Sequence, residues 1–580
     1  MMFIGQKSKE LKPAEVMAIQ ALVLTHGTAL LGGPSSRPGL LLVGNSIAGQ
    51  SCRGGASLLA GAPATVLSAT RQGANQVVLA SGGVAALSLK AGGYIVISLA
   101  SQQPWPVRVL GISGETLALS RRLPLAVRAG AGVATVTSPV LFGGTWRQTF
   151  GIHNWANALA GGLFDLLPGY GHGSATAAEI LEVLPRLLAY FRPAVVALNL
   201  FENEVPGSLT VAQMSDMGDR AGGMCLAAGA RPIVIHCLPS FSIGGSRASA
   251  YDDLRTAVLA IATRVPGAIG TDVGSIYLDT SVGATPRAAL AGWTDGIVHP
   301  LESKRATIAL NGGLVAALQS CVPSQTVDWD SILFGANPSL AGTGGTGGTL
   351  GGTPVVAANT TISVSGAGMS GTASKNADDS QYVTATCAGA VTAGSQLLSV
   401  AQTFTLPSTW GPKTRVKLIA IVTVHSQNNL GALRLSAAFG SQSVDMRTSA
   451  SSTEVFDPVV VGKKVVYETM PVPVCDPSVT TSTLTLDHRT LTGTGFDVAS
   501  TVHYMGYALS QYGEIDDGEL GAEQFATTTT VGSLPTAAAG LAGQRAIVTD
   551  ANATTFLSTV AAGGSNVVPV FCTGTTWVIG

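Results

Sequence analysis

Leu40-Leu41-Leu42-Val43-Gly44-Asn45-Ser46 is four apolar residues, a glycine, and a serine two positions on. Four apolar residues closed by glycine are too short for a helix and suit a buried strand. Glycine allows a sharp turn, so a following hydroxyl can project from the carboxyl edge of a sheet. Read alone, the stretch is an ordinary strand-to-loop turn. Its meaning comes from the residues downstream.

From Trp155 to about Leu318 helical and strand patterns alternate. Thr176-Ala177-Ala178-Glu179 forms a capping box, and Ile180, Leu181, Leu184, Leu187, Leu188 and Phe191 then fall on one helical face, with Pro185 inside it. Val195 to Leu200 reads as a buried strand, 211–228 as a helix, and Pro232 to Leu238 as a second strand. A helix follows from about Asp252 to Val265, and another after Pro300, interrupted at Gly312-Gly313. Alternating helices and apolar strands predict a parallel sheet covered on both faces. Leu40–Val43 is its first strand, so the α/β domain spans 38–56 plus 140–330. Residues 57–139 carry short β-prone runs at Gln76–Leu79, Tyr94–Ile97, Val107–Leu110 and Val133–Val136. They are expected to form a β-domain inserted just after Ser46, near the mouth of any site there.

The chain has 580 residues, so several domains are expected. It is 46% hydrophobic, only 11% charged, and holds 72 glycines. That composition suits β-structure surfaced by Thr and Ser, and argues against a disordered polymer. A net charge of −1 leaves no footprint for nucleic acid. No uninterrupted apolar run reaches membrane-spanning length. Residues 1–37 read as a helical or attachment segment without the pattern of a signal peptide. The seven cysteines are far apart, with no CxxC pair. They suggest buried thiols made in a reducing cytoplasm, not a disulfide framework or zinc site. No metal or other cofactor is called for.

Ala341 to Thr353 is Gly/Thr-rich, and 331–353 is expected to be a flexible linker. Residues 354–517, rich in Val, Thr and Ser, read as a β-sandwich with a binding or structural role. Residues 518–580 form a last β-rich module.

Four stretches gather chemistry at possible strand ends: Gly44-Asn45-Ser46, Tyr170 to Thr176, Phe201-Glu202-Asn203-Glu204, and Thr294 to Pro300. In this order they resemble the blocks of the SGNH (GDSL-type) hydrolases. Ser46 matches the block I serine, in GNS where the family usually has GDS. Gly171-His172-Gly173-Ser174 looks like block II, with Ser174 at the family's usual glycine. Asn203 matches the block III asparagine, flanked here by Glu202 and Glu204. His299 matches block V, although Asp295 lies four residues before it where the family has three. The resemblance implies a three-layer α/β fold and a Ser46–His299–Asp295 triad. Oxyanion donors would be the Ser46 amide, the Gly173/Ser174 backbone and the Asn203 side chain. Asn45, His172 and Glu202 become possible substrate contacts. The chemistry is coherent: a hydroxyl needs a base, a base needs an orienting carboxylate, and the developing oxyanion needs preorganised donors. Taken singly, Asn203 is a turn former and His299 a loop histidine. His153, His172 and His236 are read singly as structural, and Glu202 with Glu204 as surface carboxylates.

The closing stretches Val531-Gly532-Ser533-Leu534-Pro535, Gln544 to Ala551, and Gly574 to Gly580 resemble C-terminal modules of bacteriophage tail proteins. That resemblance implies a virion (tail) protein synthesised in the host cytoplasm. Its partners would be a host cell-surface glycan and other tail proteins, and it would form a homo-oligomer, a trimer by family habit. The expected function is a tail-associated esterase that deacetylates host polysaccharide. An inactive structural or receptor-binding tail protein and a cellular carbohydrate esterase remain the alternatives.

Overall fold

The computed structural model describes residues 37–44, 63–98, 104–135, 145–171, 176–201, 209–236, 247–280, 289–294, 299–322, 326–510 and 528–579, less a few positions within those ranges. The attachment segment expected at 1–37 lies outside them but for Arg37. The chain divides into two compact units, Met1–Glu514 and Ile515–Gly580.

The apolar stretch that begins at Leu40 becomes β1, Gly39–Gly44, buried throughout. It is the second strand of a six-stranded sheet. On one side β1 pairs in parallel with Asp165–Leu166 and with β2, Tyr170–Gly171. On the other lie β3 (Val195–Asn199), β4 (Arg231–His236) and β5 (Ile269–Asp272), all parallel. The order is therefore β2-β1-β3-β4-β5. The expected parallel sheet is present, and both of its faces are buried. Leu40, Leu42, Ala197, Ile233 and Ile235 join one core cluster, while Leu41, Val43, Val196, Leu198 and Val234 join another. The first face carries α1 (Ile152–Leu159), α5 (Arg305–Asn311) and α6 (Leu314–Cys321). The second carries α2 (Ala177–Phe191), α3 (Val211–Ala227) and α4 (Arg247–Arg264).

Local signals explain several of these elements. The Thr176 hydroxyl accepts from the Glu179 amide at 3.3 Å, and the Glu179 carboxylate accepts from the Thr176 amide at 2.8 Å. This is the capping box read from the sequence, and Pro185 is held inside the helix it starts. Thr210 and Gln213 cap α3 in the same way. Helix α4 begins at Arg247, five residues earlier than its apolar periodicity indicated.

Residues 64–135 contribute the strands of a separate six-stranded sheet: Ala64–Thr65, Gln76–Val78, Tyr94–Ser98, Pro104–Ser113, Thr116–Leu119 and Gly132–Thr135. Its inward residues, such as Ile95, Val107 and Leu117, belong to the core cluster that includes α2 and α3.

The Val/Thr-rich region forms two seven-stranded sheets. Tyr507 Oη donates to Ser482 Oγ at 2.8 Å from one sheet to the other. Two boundaries differ from expectation. Thr145–Thr149, assigned by sequence to the α/β domain, is an edge strand of a sandwich sheet, parallel to Gln442–Arg447. The supposed flexible linker is built into the sandwich. Leu333–Phe334 pairs with the strand Gly493–Leu509, and Thr346–Gly347 with Thr360–Ser365. Glycine content misled here because some of these glycines are required by close packing. A Cβ on Gly345 would stand 2.1 Å from the Ala357 carbonyl oxygen.

The sandwich and the α/β part share one core. Trp155 of α1 stands edge-on to Tyr467, ring centroids 5.9 Å apart, and to Phe150 at 5.2 Å. Four buried charges also join the two parts. Arg37 and Asp165 come from the amino-terminal edge of the parallel sheet, and Lys417 and Glu468 from the sandwich. Arg37 donates to Glu468 at 2.6 Å, and Lys417 reaches both Asp165 and Glu468. Burial opposes ionisation of Glu468, but the two cations beside it hold its carboxyl below the usual range.

The second unit is a four-stranded sheet of Thr528–Thr529, Arg545–Ala551, Asn566–Cys572 and Trp577–Ile579. Val548, Val568, Val570 and Trp577 are in its core. Among the described residues no helix is long and apolar enough to cross a membrane. Cys225, Cys321 and Cys387 are buried free thiols, and burial pushes the Cys225 thiol up to about 12.

Candidate active site at the carboxyl edge of the parallel sheet

An open parallel sheet with strand order 2-1-3-4-5 has its switch point between β1 and β3. Chain connections leave these two strands in opposite directions, which opens a crevice beyond their carboxyl ends. The register shows what lies there. Gly44, at the end of β1, is paired with Gly171 on one side and Asn199 on the other. The three strands thus end level. The segments that run on from them are those that contain Asn45 and Ser46, then His172, Gly173 and Ser174, then Glu202 and Asn203. All of these named side chains lie outside the described residues, as does Asp295. What the structure establishes is where their segments leave the sheet: side by side, at the switch point.

His299 is described and partly buried. A bridge between Thr294 and Pro300 ties the chain on either side of it. The Leu301 amide donates to the Trp293 carbonyl at 2.9 Å. Just beyond, Arg305 is buried and donates to the Pro300 carbonyl at 3.1 Å and the Phe150 carbonyl at 2.9 Å. The histidine is therefore held on a tied loop whose next residue is fixed by a guanidinium.

A second cluster sits at the same sheet edge. His236, the last residue of β4, pairs in register with Asp272, the last of β5. His236 Nδ1 donates to Asp272 Oδ1 at 2.8 Å, since an ionised carboxylate can only accept. Arg255 of α4 donates to Asp272 Oδ2 at 2.6 Å. Burial would raise the Asp272 pKa, but hydrogen bonds and charge from His236 and Arg255 hold it below the ordinary value. Sequence reading gave His236 a structural role but did not find its acid. Each residue closes its own strand, and only strand pairing brings them together. Arg305 was missed for a related reason: an arginine opening a helix reads as solvated unless its carbonyl partners are known.

His153, the other histidine read as structural, is fully buried in α1, where desolvation lowers its pKa to about 4. Among the described residues there is no group of three His, Cys, Asp or Glu able to hold a metal ion.

No protein-family model matches the chain, and no curated protein matches it. Solved structures similar to it include a GDSL-like lipase and two esterases. A GDSL-like lipase from Bacteroides thetaiotaomicron is 15% identical, over 27% of this chain and 76% of that one, with a TM-score of 0.23. A psychrotrophic esterase from Pseudoalteromonas is 16% identical, over 27% and 80%, at 0.21. A Geobacillus acetyl-xylooligosaccharide esterase is 12% identical, over 50% of this chain and 96% of that one, at 0.26.

Proposed function

We propose that the chain is a serine esterase of the SGNH type that removes acyl groups, acetyl in the first instance, from a polysaccharide. The observation that carries this reading is the level register of Gly44, Gly171 and Asn199. It sends the serine, oxyanion and asparagine segments out together at the switch point. In the proposed mechanism Ser46 Oγ attacks the ester carbonyl carbon while His299 takes its proton. The carbonyl π electrons move onto oxygen, where the Ser46 amide, the Gly173/Ser174 backbone and the Asn203 side chain donate to the oxyanion. Collapse expels the sugar oxygen, which takes the proton from His299. Water, deprotonated by the same histidine, then attacks the acyl-serine and releases the carboxylic acid and the free serine. Asp295 is assigned to orient the imidazole.

The test is turnover of p-nitrophenyl acetate, and acetate release from an acetylated polysaccharide, by the full chain and by Ser46→Ala. The variant should lose at least about a thousandfold in kcat. An inert wild type, or a Ser46→Ala protein as active as wild type, overturns the reading. Glycan binding without turnover would leave a receptor-binding protein in its place. For the setting, the sequence pattern of the last module supports a phage tail, with a host surface glycan and other tail proteins as partners and a trimeric assembly. Mass spectrometry of purified virions and light scattering of the full chain test these points. Absence from virions leaves a cellular carbohydrate esterase.

A further inference from the structure

The segment that carries His299 is fastened to the sandwich as well as to the parallel sheet. Three carboxylates are involved, two of them from the sandwich. Glu454 accepts from the Ser303 amide at 2.8 Å. Asp457 accepts from the Thr307 amide at 2.9 Å and from the Thr307 hydroxyl at 2.8 Å. On the other side, Ser449 of the sandwich donates to Glu302 at 2.8 Å. Glu302 in turn lies 3.5 Å from Arg305, which grips the Pro300 carbonyl next to His299. Ser303 precedes α5, and Thr307 is within its first turn. Amides at the start of a helix have no partner within it. Here sandwich carboxylates supply acceptors, and their charge suits the positive end of the helix dipole.

The sandwich residues lie on one short stretch, Ser449 to Asp457. It follows the strand Gln442–Arg447, which pairs with Thr145–Thr149. Phe150 closes the circuit. Its amide donates to the Arg447 carbonyl at 3.2 Å, and its carbonyl accepts from Arg305. Arg447, Ser449, Glu454 and Asp457 of the sandwich therefore hold Phe150, Glu302, Ser303 and Thr307 respectively.

We propose that Glu454 and Asp457 are positioning residues for His299, so that the sandwich is part of the hydrolytic apparatus and not a detachable binding module. The inference rests on His299 as the base. A proton acceptor displaced by about an ångström can cost about a hundredfold in rate even when the cause is remote. An anchor at the start of α5 sets where the chain from His299 to Lys304 can lie. Substrate binding at the β1/β3 crevice does not use these residues, so the loss should fall on kcat and leave KM alone.

The experiment uses the full chain and p-nitrophenyl acetate, with active sites counted by a fluorophosphonate that labels Ser46, each labelling reaction run to its end point so that a slower reaction of Ser46 does not lower the count. Glu454→Ala and Asp457→Ala should each lower kcat per labelled site by about 10- to 100-fold, with KM within about twofold of wild type. Glu454→Gln and Asp457→Asn keep a carbonyl acceptor for the Ser303 and Thr307 amides. They should recover most of the loss. Asp457 also accepts from the Val459 amide at 3.1 Å, so Asp457→Ala has a route to local damage within the sandwich. Wild-type kcat per site in both alanine variants overturns the proposal and leaves the esterase standing. So does a loss that disappears once activity is divided by labelled sites, because that is misfolding alone. An unlabelled, inactive wild type removes the esterase and this proposal together.

Discussion

At the residue scale, the most telling side chains are those whose ionisation the fold opposes. His488 is fully buried, with Nε2 2.8 Å from Ser500 Oγ, and burial lowers its pKa to about 4. In the unfolded chain the same imidazole titrates near 6.5. Between these values the unfolded state binds the proton and the folded state does not, so stability falls as pH drops from about 6.5 to 4 and then levels off. His153 titrates in the same sense. His488→Gln should be less stable than wild type at pH 7, yet lose less on acidification. The difference in slope should total up to roughly 3 kcal/mol across that window. Urea titrations at pH 7, 5.5 and 4.5 would show it; parallel slopes would contradict it. The lowered Asp272 acts in the opposite chemical sense but with the same sign. Its paired carboxylate stabilises the fold above the unfolded value and loses that contribution as pH falls.

At the scale of elements, legibility followed the density of local signal. Helix α2 was readable because a capping box, one apolar face and a terminating Arg192-Pro193 all agree. Thr176→Ala should cost about 1 kcal/mol, seen as a lower urea midpoint with an unchanged slope. Helices α5 and α6 were readable because two glycines punctuate them. The structure adds why the first must be small. A Cβ on Gly312 would stand 2.4 Å from Val273 Cγ1 and 2.8 Å from Val273 Cα. Because backbone as well as side chain must yield, Gly312→Ala should destabilise by about 1–3 kcal/mol in the same assay. By contrast, β2 and β5 were invisible. Tyr170–Gly171 is too short to make a pattern, and Ile269-Gly270-Thr271-Asp272 is too polar. Each is a strand because a longer neighbour supplies its hydrogen bonds.

At the scale of the molecule, the decisive feature is the joint between the parallel sheet and the sandwich. Buried charges are tolerated only when paired, and removing one partner strands another. Lys417→Met leaves Asp165 without the ammonium beside it, so it should cost about 3–5 kcal/mol in urea unfolding. Adding Asp165→Leu should restore much of the loss. If the single change is neutral, the quartet is not structurally needed. The sequence by itself determined the parallel α/β core, its first strand and the β-rich character of the C-terminal half, because apolar periodicity, caps and turn residues act over a few residues. Through a family resemblance it also proposed Ser46, Asn203 and His299 as site residues. Only the tertiary structure decided the level exit of three strands, the His236–Asp272 pair, the place of Thr145–Thr149 in a sandwich sheet, and the hold of Glu454 and Asp457 on the histidine segment. Those facts depend on strand register and on contacts between residues as much as several hundred positions apart, which no local pattern records.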